Sequence, residues 1–349
     1  MQALTISSHG GLDRIEPRDD LPVPELRAPN DIRVRMSAAA LNHLDLFVVA
    51  GMPGVTIRPP WILGADGCGV IDQVGSEAVG VRVGDRVVIN PGISDRSCEY
   101  CKAGEHSLCP RFGILGEHHP GTMAEYVVVP AANVRCVSEA VSDSEAAAFT
   151  LATLTAWRMV VTRAAVKSGD HVLIWGIGGG VAQAALRICV RRGATVWVTS
   201  SDDDKLARAR SLGAAETVNH QGVDVGRLIR ERTGKRGVDV VIDNVGEATW
   251  TQSLGALGRG GRLVTCGGTS GPQLMTDVRR LFWNQWTIMG STMGNDAEFD
   301  AITEELAAGQ LRPIVDTVFP LSDGRAAFER LATGKQFGKL VVSIGAGSL

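Results

Sequence analysis

Three cysteines share one short loop, Cys98-x2-Cys101-x7-Cys109. Thiolates at that spacing suit a structural, four-coordinate zinc ion. Asp95 extends the run to Asp95-x2-Cys98-x2-Cys101-x7-Cys109 and supplies a carboxylate as fourth ligand, with His106 as a reserve donor in the same loop. One zinc per chain is therefore expected. Free thiols, a Cys98–Cys101 redox pair or buried thiols are the competing readings. The redox pair is poorly placed, because it does not open a helix in a βαβ unit. Cys68, Cys136, Cys189 and Cys266 lie in apolar contexts and read as core.

A second constellation is a glycine-rich turn. An apolar run, His171–Trp175, enters Gly176-Ile177-Gly178-Gly179-Gly180-Val181-Ala182, and a helical pattern follows at once. Glycines tighten such a turn and let backbone N–H groups approach a pyrophosphate, which the helix N-terminus also attracts. The strict G-x-G-x-x-G frame from Gly176 puts Val181 at its last glycine, whereas Gly176-x-x-Gly179-x-x-Ala182 keeps a small residue at each step. The competing reading is a tight turn that binds nothing. About twenty residues on, where an acid would hold a ribose 2′-hydroxyl, the chain has Thr199-Ser200-Ser201 and then Asp202-Asp203-Asp204-Lys205. Ser200 and Lys205 suit a 2′-phosphate, so NADP(H) is favoured. NAD(H) stays open because of the aspartates, which also read as a helix cap and first turn. Asn244 and Val245 follow a later strand, and Cys266, Gly267 and Gly268 follow the next. These are C-terminal strand ends, where ligands bind in open α/β sheets.

Elements must hold these residues in place. Up to about residue 145 the chain reads as short strands with turns, Asp31–Met36, Cys68–Val74, Asp85–Ile89 and Met123–Val129, in a mostly antiparallel domain. Ser144–Arg163 is Ala-rich and helical. Thereafter strands His171–Trp175, Thr195–Thr199, Glu216–Val218, Val238–Ile242 and Arg262–Thr265 alternate with helices Val181–Arg192, Asp203–Leu212, Val225–Thr233 and Thr249–Leu257. That rhythm predicts a doubly wound parallel sheet, an α/β fold. After Met293 come a helix, Glu298–Ala308, and strands Val315–Phe319 and Leu340–Ile344, the last with no neighbour by pattern.

Composition removes several roles. Lys plus Arg number 35 and Asp plus Glu 38, a net charge of −3 with no basic block, so no nucleic-acid partner is expected. Val172–Val190 is interrupted by glycines, Gln183 and Arg187 and is no membrane span. Met1–Asp20 has no apolar signal core, and a reducing cytoplasm is the expected compartment. Only two tyrosines occur, and four residues after each stand Gly104 and Pro130 rather than lysine. That excludes the nicotinamide enzymes built on a Tyr-x-x-x-Lys acid–base pair. Glycine, 42 of 349 residues, is in excess without a period, which points to turns and close backbone approaches.

The cysteine loop, Leu63-Gly64-Ala65-Asp66-Gly67, Val83-Gly84-Asp85-Arg86-Val87, Ala124-Glu125-Tyr126, Gly176–Ala182 and Phe337-Gly338-Lys339 resemble the medium-chain dehydrogenase/reductase superfamily, the zinc-type alcohol dehydrogenases, over essentially the whole chain. The resemblance implies a GroES-like β catalytic domain, residues 1–150 and 294–349, interrupted by a Rossmann domain, residues 151–293. The family positions that hold a catalytic zinc fall on Asn42, Ala65 and Leu151, an amide, a methyl and an isobutyl group. Asn42-His43-Leu44-Asp45 is similar to the zinc-independent quinone oxidoreductase branch.

What the resemblance implies for the site follows position by position. Asn42 would donate to a substrate carbonyl and Asp45 would orient Asn42 or His43, against a simpler role as turn caps. His43 would relay a proton, or be an ordinary histidine. Thr155 matches a threonine near the nicotinamide. His220 would lie near the adenosine phosphate, Ser291, Thr292 and Met293 near the nicotinamide, and Lys339 near the cofactor cleft. Asp66, beside the vacated metal position, would carry a structural hydrogen bond, or join His43 and His118 or His119 in an unconventional metal site. Leu281-Phe282-Trp283 and Trp286 precede the last Rossmann strand, Thr287–Gly290, and family members commonly dimerise by pairing this sheet edge; the aromatics fit an interface or burial against the protein's own helices, and a homodimer or homotetramer is expected.

The expected activity is NADPH-dependent hydride transfer to a quinone or an α,β-unsaturated carbonyl without catalytic zinc. Charge in such acceptors delocalises through the conjugated carbonyl, so less help from a Lewis acid is needed. A zinc-dependent alcohol dehydrogenase with unusual ligands and a non-catalytic, crystallin-like NADPH-binding protein are the alternatives.

Overall fold

Val172-Leu173-Ile174 and Val240-Val241-Ile242 are apolar on both alternations, and strands of that kind need both faces covered. The computed structural model describes residues 1–345. All six of these side chains are fully buried there, in adjacent parallel strands of a six-stranded sheet. The sheet order is Glu216–Asn219, Thr195–Ser200, His171–Ile174, Val238–Asp243, Leu257–Thr265, Thr287–Gly290, and every neighbouring pair is parallel. Helices Gly180–Arg191, Asp203–Ser211, Val225–Arg232 and Glu247–Ala256 connect the strands. This is the doubly wound order, with its reversal between His171–Ile174 and Val238–Asp243, where a crevice opens at the carboxyl ends. The compact unit spans Thr153–Met293.

The second unit joins Met1–Ala152 to the chain from Gly294 onward. Its central strand, Asp31–Ala40, pairs antiparallel with Asp66–Val74, Tyr126–Pro130 and the last strand, Lys339–Ser343. Lys339–Ser343 pairs on its other side, in parallel, with Val315–Pro320. The final strand therefore does have a home, beside a strand some 300 residues earlier in the chain. Register matters here: Ala40 stands opposite both Asp66 and Val341, and the Leu41 N–H donates to the Leu340 carbonyl (2.9 Å). Two of the strands approach very closely. A Cβ on Gly69 would lie 2.2 Å from the Arg35 carbonyl oxygen, so no larger residue fits. Leu4, Ile6, Ile32, Leu63, Val87 and Val342 are among the core side chains.

Some expectations change. The helical stretch Ser144–Arg163 is three pieces: Asp143–Ala147, Thr150–Trp157 and a π-helical turn over Arg158–Arg163. Val160, Val161 and Thr162 are β-branched and fit a regular helix less well. His43–Ala50, an apolar run without clear amphipathic spacing, forms a helix whose one sequence signal is its cap. Met123–Val129 becomes a strand only from Tyr126, and Arg262–Thr265 begins earlier, at Leu257. Cys68 and Cys189 are core, but Cys136 is exposed at a strand end and Cys266 only half-buried. No helix among the described residues is long and apolar enough to cross a membrane.

Candidate active site and metal loop

The strand register delivers Asp66 and Lys339 to the start of the His43–Ala50 helix. Lys339 is 5 % exposed and Asp66 fully buried. The Lys339 ammonium donates to Asp66 Oδ2 (2.9 Å) and to Asn42 Oδ1. Asn42 Nδ2 donates to the same Asp66 oxygen (3.0 Å). The other carboxylate oxygen, Oδ1, accepts from Thr150 Oγ1 (2.7 Å) and the Leu151 N–H (2.6 Å). Asp66 thus has the structural hydrogen bonds expected of it, and they are more numerous than the sequence indicated. Asn42 keeps a position at the helix cap, but its amide is turned to Asp66 and Lys339. Asp45 fixes Asn42 from below, accepting its backbone N–H (2.6 Å). Burial pushes the Asp45 carboxyl up to about 7, against the opposing pull of the Asn42 N–H and the Lys339 charge. His43 is exposed on the helix's first turn.

The described residues do not gather the unconventional metal site. Among the described residues, the only group of three or more His, Cys, Asp or Glu ligands gathered closely enough for an ion lies elsewhere. Asp66 already has four donors, and His118 is turned to the Ile114 N–H (3.3 Å) and Glu117 (3.7 Å).

In the parallel-sheet unit, Gly176 has φ +66°, which favours glycine. Its N–H donates to Thr199 Oγ1 (3.2 Å), tying the turn to the next strand. Gly179 is different. It caps the Gly180–Arg191 helix in extended geometry with no side-chain cap, and a Cβ there would find no atom nearer than 3.8 Å. Neither backbone nor packing demands glycine at that position. An open surface above uncapped helix N–H groups suits an anion. In the same unit, buried polar atoms lack hydrogen-bond partners: Gln183 Nε2, His220 Nδ1, Asn244 Oδ1 and Ser291 Oγ. Three of these were candidate cofactor residues from sequence; Gln183 was not. Orphaned polar atoms on the opening turn of the helix and just past strand ends fit a polar ligand.

Ser200 and Lys205 are both buried near the end of the second strand. Ser200 Oγ accepts from the Asp202 N–H (3.1 Å), and Asp202 caps the following helix through the Lys205 N–H (3.1 Å). Asp203 accepts from Asn219 (2.8 Å). Two of the three aspartates therefore have local structural partners. Thr155 Oγ1 meets Met293 Sδ at 3.8 Å, which brings two candidate residues together. Asp243 has no motif that marks it in the sequence. This fully buried carboxylate accepts from the Val245 and Gly246 N–H groups (2.9 and 3.0 Å), from Thr249 Oγ1 and from Ser253 Oγ (2.7 Å). It sets the loop that carries Asn244, Val245, and the turn facing Gly267 and Gly268.

The cysteine loop forms a compact donor set. Ligand atoms of Asp95, Cys98, Cys101 and Cys109 all lie within 4.8 Å of one another. The Ser97 and Cys98 N–H groups (2.8 and 2.9 Å) hold Asp95 and keep its carboxyl below the usual carboxylate range. Cys109 Sγ accepts the Asp95 and Arg111 N–H groups (3.4 and 3.3 Å), contacts that support thiolate charge. Three sulfurs and a carboxylate are a chemically suitable zinc set. His106 does not join it: its ring faces the Asp296–Ala307 helix, with Nδ1 accepting from the Asp296 N–H (3.4 Å).

Residues 28–139 match the alcohol dehydrogenase GroES-like domain and residues 180–308 the zinc-binding dehydrogenase domain. Zinc-type alcohol dehydrogenase-like protein YogA of Leptosphaeria maculans is 33 % identical over 337 residues, 90 % of this chain and 91 % of its own. A crystal structure of an NAD-dependent alcohol dehydrogenase is 43 % identical with a TM-score of 0.94, covering 99 % of this chain and 100 % of that one. Crotonyl-CoA carboxylase/reductase of Cereibacter sphaeroides is 27 % identical over 94 % of this chain and 83 % of its own. With two domain models in the expected order and relatives matched along nearly its full length, the chain belongs to the zinc-type alcohol dehydrogenase, or medium-chain dehydrogenase/reductase, superfamily.

Proposed function

We propose that this protein is an NADPH-dependent reductase of quinones or α,β-unsaturated carbonyls that works without a catalytic zinc and carries one structural zinc. The observation that carries this is the pairing of Lys339 with Asn42 and Asp66. By resemblance Asn42, Ala65 and Leu151 stand at the catalytic-metal positions, and here a buried ammonium bonds Asn42 itself. A site with a lysine cation and an amide suits an acceptor whose developing charge is already delocalised. The relation to a protein named as a crotonyl-CoA reductase supports a conjugated acceptor.

The nicotinamide, when bound, supplies the hydride. Gly176, Gly178, Gly179, Gly180 and Val181 would hold the pyrophosphate through backbone N–H groups, and Ser200 and Lys205 the 2′-phosphate. His220, Asn244, Val245, Cys266, Gly267, Gly268 and Ser291–Met293 would complete the cofactor surface. Thr155 would position the nicotinamide end through its contact with Met293. Asp45 holds Asn42 in place. Asp95, Cys98, Cys101 and Cys109 would hold zinc and cross-link their loop. Hydride transfer itself draws on positioning more than on acid catalysis.

Purified enzyme with NADPH should turn over members of a quinone and enone panel, with rates unchanged by mild chelation that leaves the cysteine-bound metal in place. Oxidation of simple alcohols with a strict zinc requirement would overturn the proposal. A second reading, NAD-linked alcohol oxidation, is favoured by the names of several relatives. Two zinc ions per chain would support it.

A further inference from the structure

A cavity of about 470 Å³ lies wholly within the Met1–Ala152 segment and shares no lining residue with the Asn42–Asp66–Lys339 cluster. Its surface is mainly apolar and rigid: five prolines line it, with Leu21, Ile62 and Leu115 beside them. One wall is a segment with no regular secondary structure, residues 21–27, yet it is pinned in two places. Arg33 Nη1 donates to the Pro24 carbonyl (3.3 Å), and the Arg27 and Ala28 N–H groups donate to Asp31 Oδ2 (3.0 and 2.9 Å). Arg33 is itself held by Asp72 (2.9 Å), and its guanidinium lies 5.4 Å from the centre of the Tyr126 ring, which also lines the cavity. The space exists before any ligand arrives, so binding costs little reordering.

Polar groups on this surface are few, and their charge is one-sided. Arg27 is the one Lys or Arg among the lining residues. It is exposed, and its guanidinium has no hydrogen bond or ion pair among the described residues. His119 is held below its ordinary value by burial and by the charges of His118 and Arg27, so it is neutral at pH 7. Asp31, the one lining carboxylate, is 7 % exposed and already accepts the two backbone N–H groups. The Tyr126 hydroxyl also lacks a partner among the described residues. A guanidinium without a counter-ion matches a carboxylate, and the proline and tyrosine rings offer flat faces to an aromatic body. We propose that this cavity binds a small arylcarboxylic acid, its carboxylate on Arg27 and its ring against Leu21, Ile62 and Tyr126. The site stands apart from the reductase reading and does not depend on it. A space of this size takes a small molecule, whereas a stable protein partner needs about 800 Å² of surface on each side.

Naphthylacetate is the probe, and naphthylacetamide presents the same body without the charge. Neither is an enone, a quinone or an alcohol, so binding is read apart from turnover. Calorimetry on the full chain should find the acid at least about tenfold tighter than the amide, the gain expected of a charge-assisted pair. Arg27→Gln should remove that preference and leave amide binding within about twofold of wild type. Leu21→Trp, which fills the cavity, should abolish binding of both, with Ile62→Phe as the reserve should the first not fold. Equal affinity for acid and amide would overturn the proposal, as would acid binding that survives both filling variants. Absence of binding by either probe would overturn it too. A fall in mass by light scattering on Leu21→Trp would then assign the cleft to a second copy of the chain.

Discussion

At the scale of single residues, Asp45 makes the protein's stability depend on pH in an uncommon direction. An aspartate in the unfolded chain loses its proton near pH 4, whereas burial holds that of Asp45 to about pH 7. Between these values the folded state binds the additional proton. Its contribution is complete below the window and declines as pH rises through it, by a few kcal/mol at most. Asp45→Asn should flatten this decline, read from urea midpoints at pH 4.5, 6 and 7.5; an unchanged slope would assign the effect elsewhere. Lys205→Ala tests the ribose side. It should raise the KM for NADPH more than that for NADH, and equal changes would count against a 2′-phosphate contact. Residues close in sequence were the legible ones. The Asp95–Cys109 donor set is written in its spacing. The Asp66–Lys339 pair is not, because its members are 273 residues apart and meet only through strand register.

Among elements, the parallel strands were readable because a strand buried on both faces has no polar alternation to blur it. The helix His43–Ala50 was hidden for the converse reason: it is apolar and short, and its one local signal is the Asn42–Asp45 cap, so tertiary burial must supply the rest. The glycine turn joins element to function. Gly179 needs no positive φ, and a Cβ there would make only an ordinary van der Waals contact, 3.8 Å from the Gly176 carbonyl oxygen, so Gly179→Ala should leave thermal stability equal or slightly higher, as replacing glycine at an unstrained position does. Its NADPH KM should rise at least about tenfold if backbone N–H groups approach a pyrophosphate there. A stable variant with unchanged KM would make the turn merely structural. The aromatic segment before the edge strand also divides. Trp286 is buried and donates to the Gly258 carbonyl (2.8 Å), while Phe282 and Trp283 are 63 % and 69 % exposed.

For the whole molecule, those exposed aromatics lie beside the strand Thr287–Gly290, which ends the sheet. Phe282→Glu with Trp283→Glu should convert a dimer or tetramer to a smaller species in light scattering if that edge pairs with a second copy. Unchanged mass would remove the edge from the interface. Metal analysis should find one zinc per chain. Replacing Cys98 and Cys101 by serine should remove it and lower the melting temperature without abolishing enone reduction, because the loop is structural in this scheme.

The placement of Lys339–Ser343 beside Asp31–Ala40 also fixes an order of events during synthesis. Residues 153–293 are contiguous and can fold once translated, but the other unit lacks a strand of its sheet until the end of translation. Asp66 must wait for a lysine 273 residues downstream. At about 5–20 residues per second, the nascent chain spends on the order of tens of seconds with that carboxylate unmatched. A ribosome stalled shortly before Lys339 would therefore hold a finished parallel-sheet unit and an open β unit, and a protease probe should find the cuts in the second.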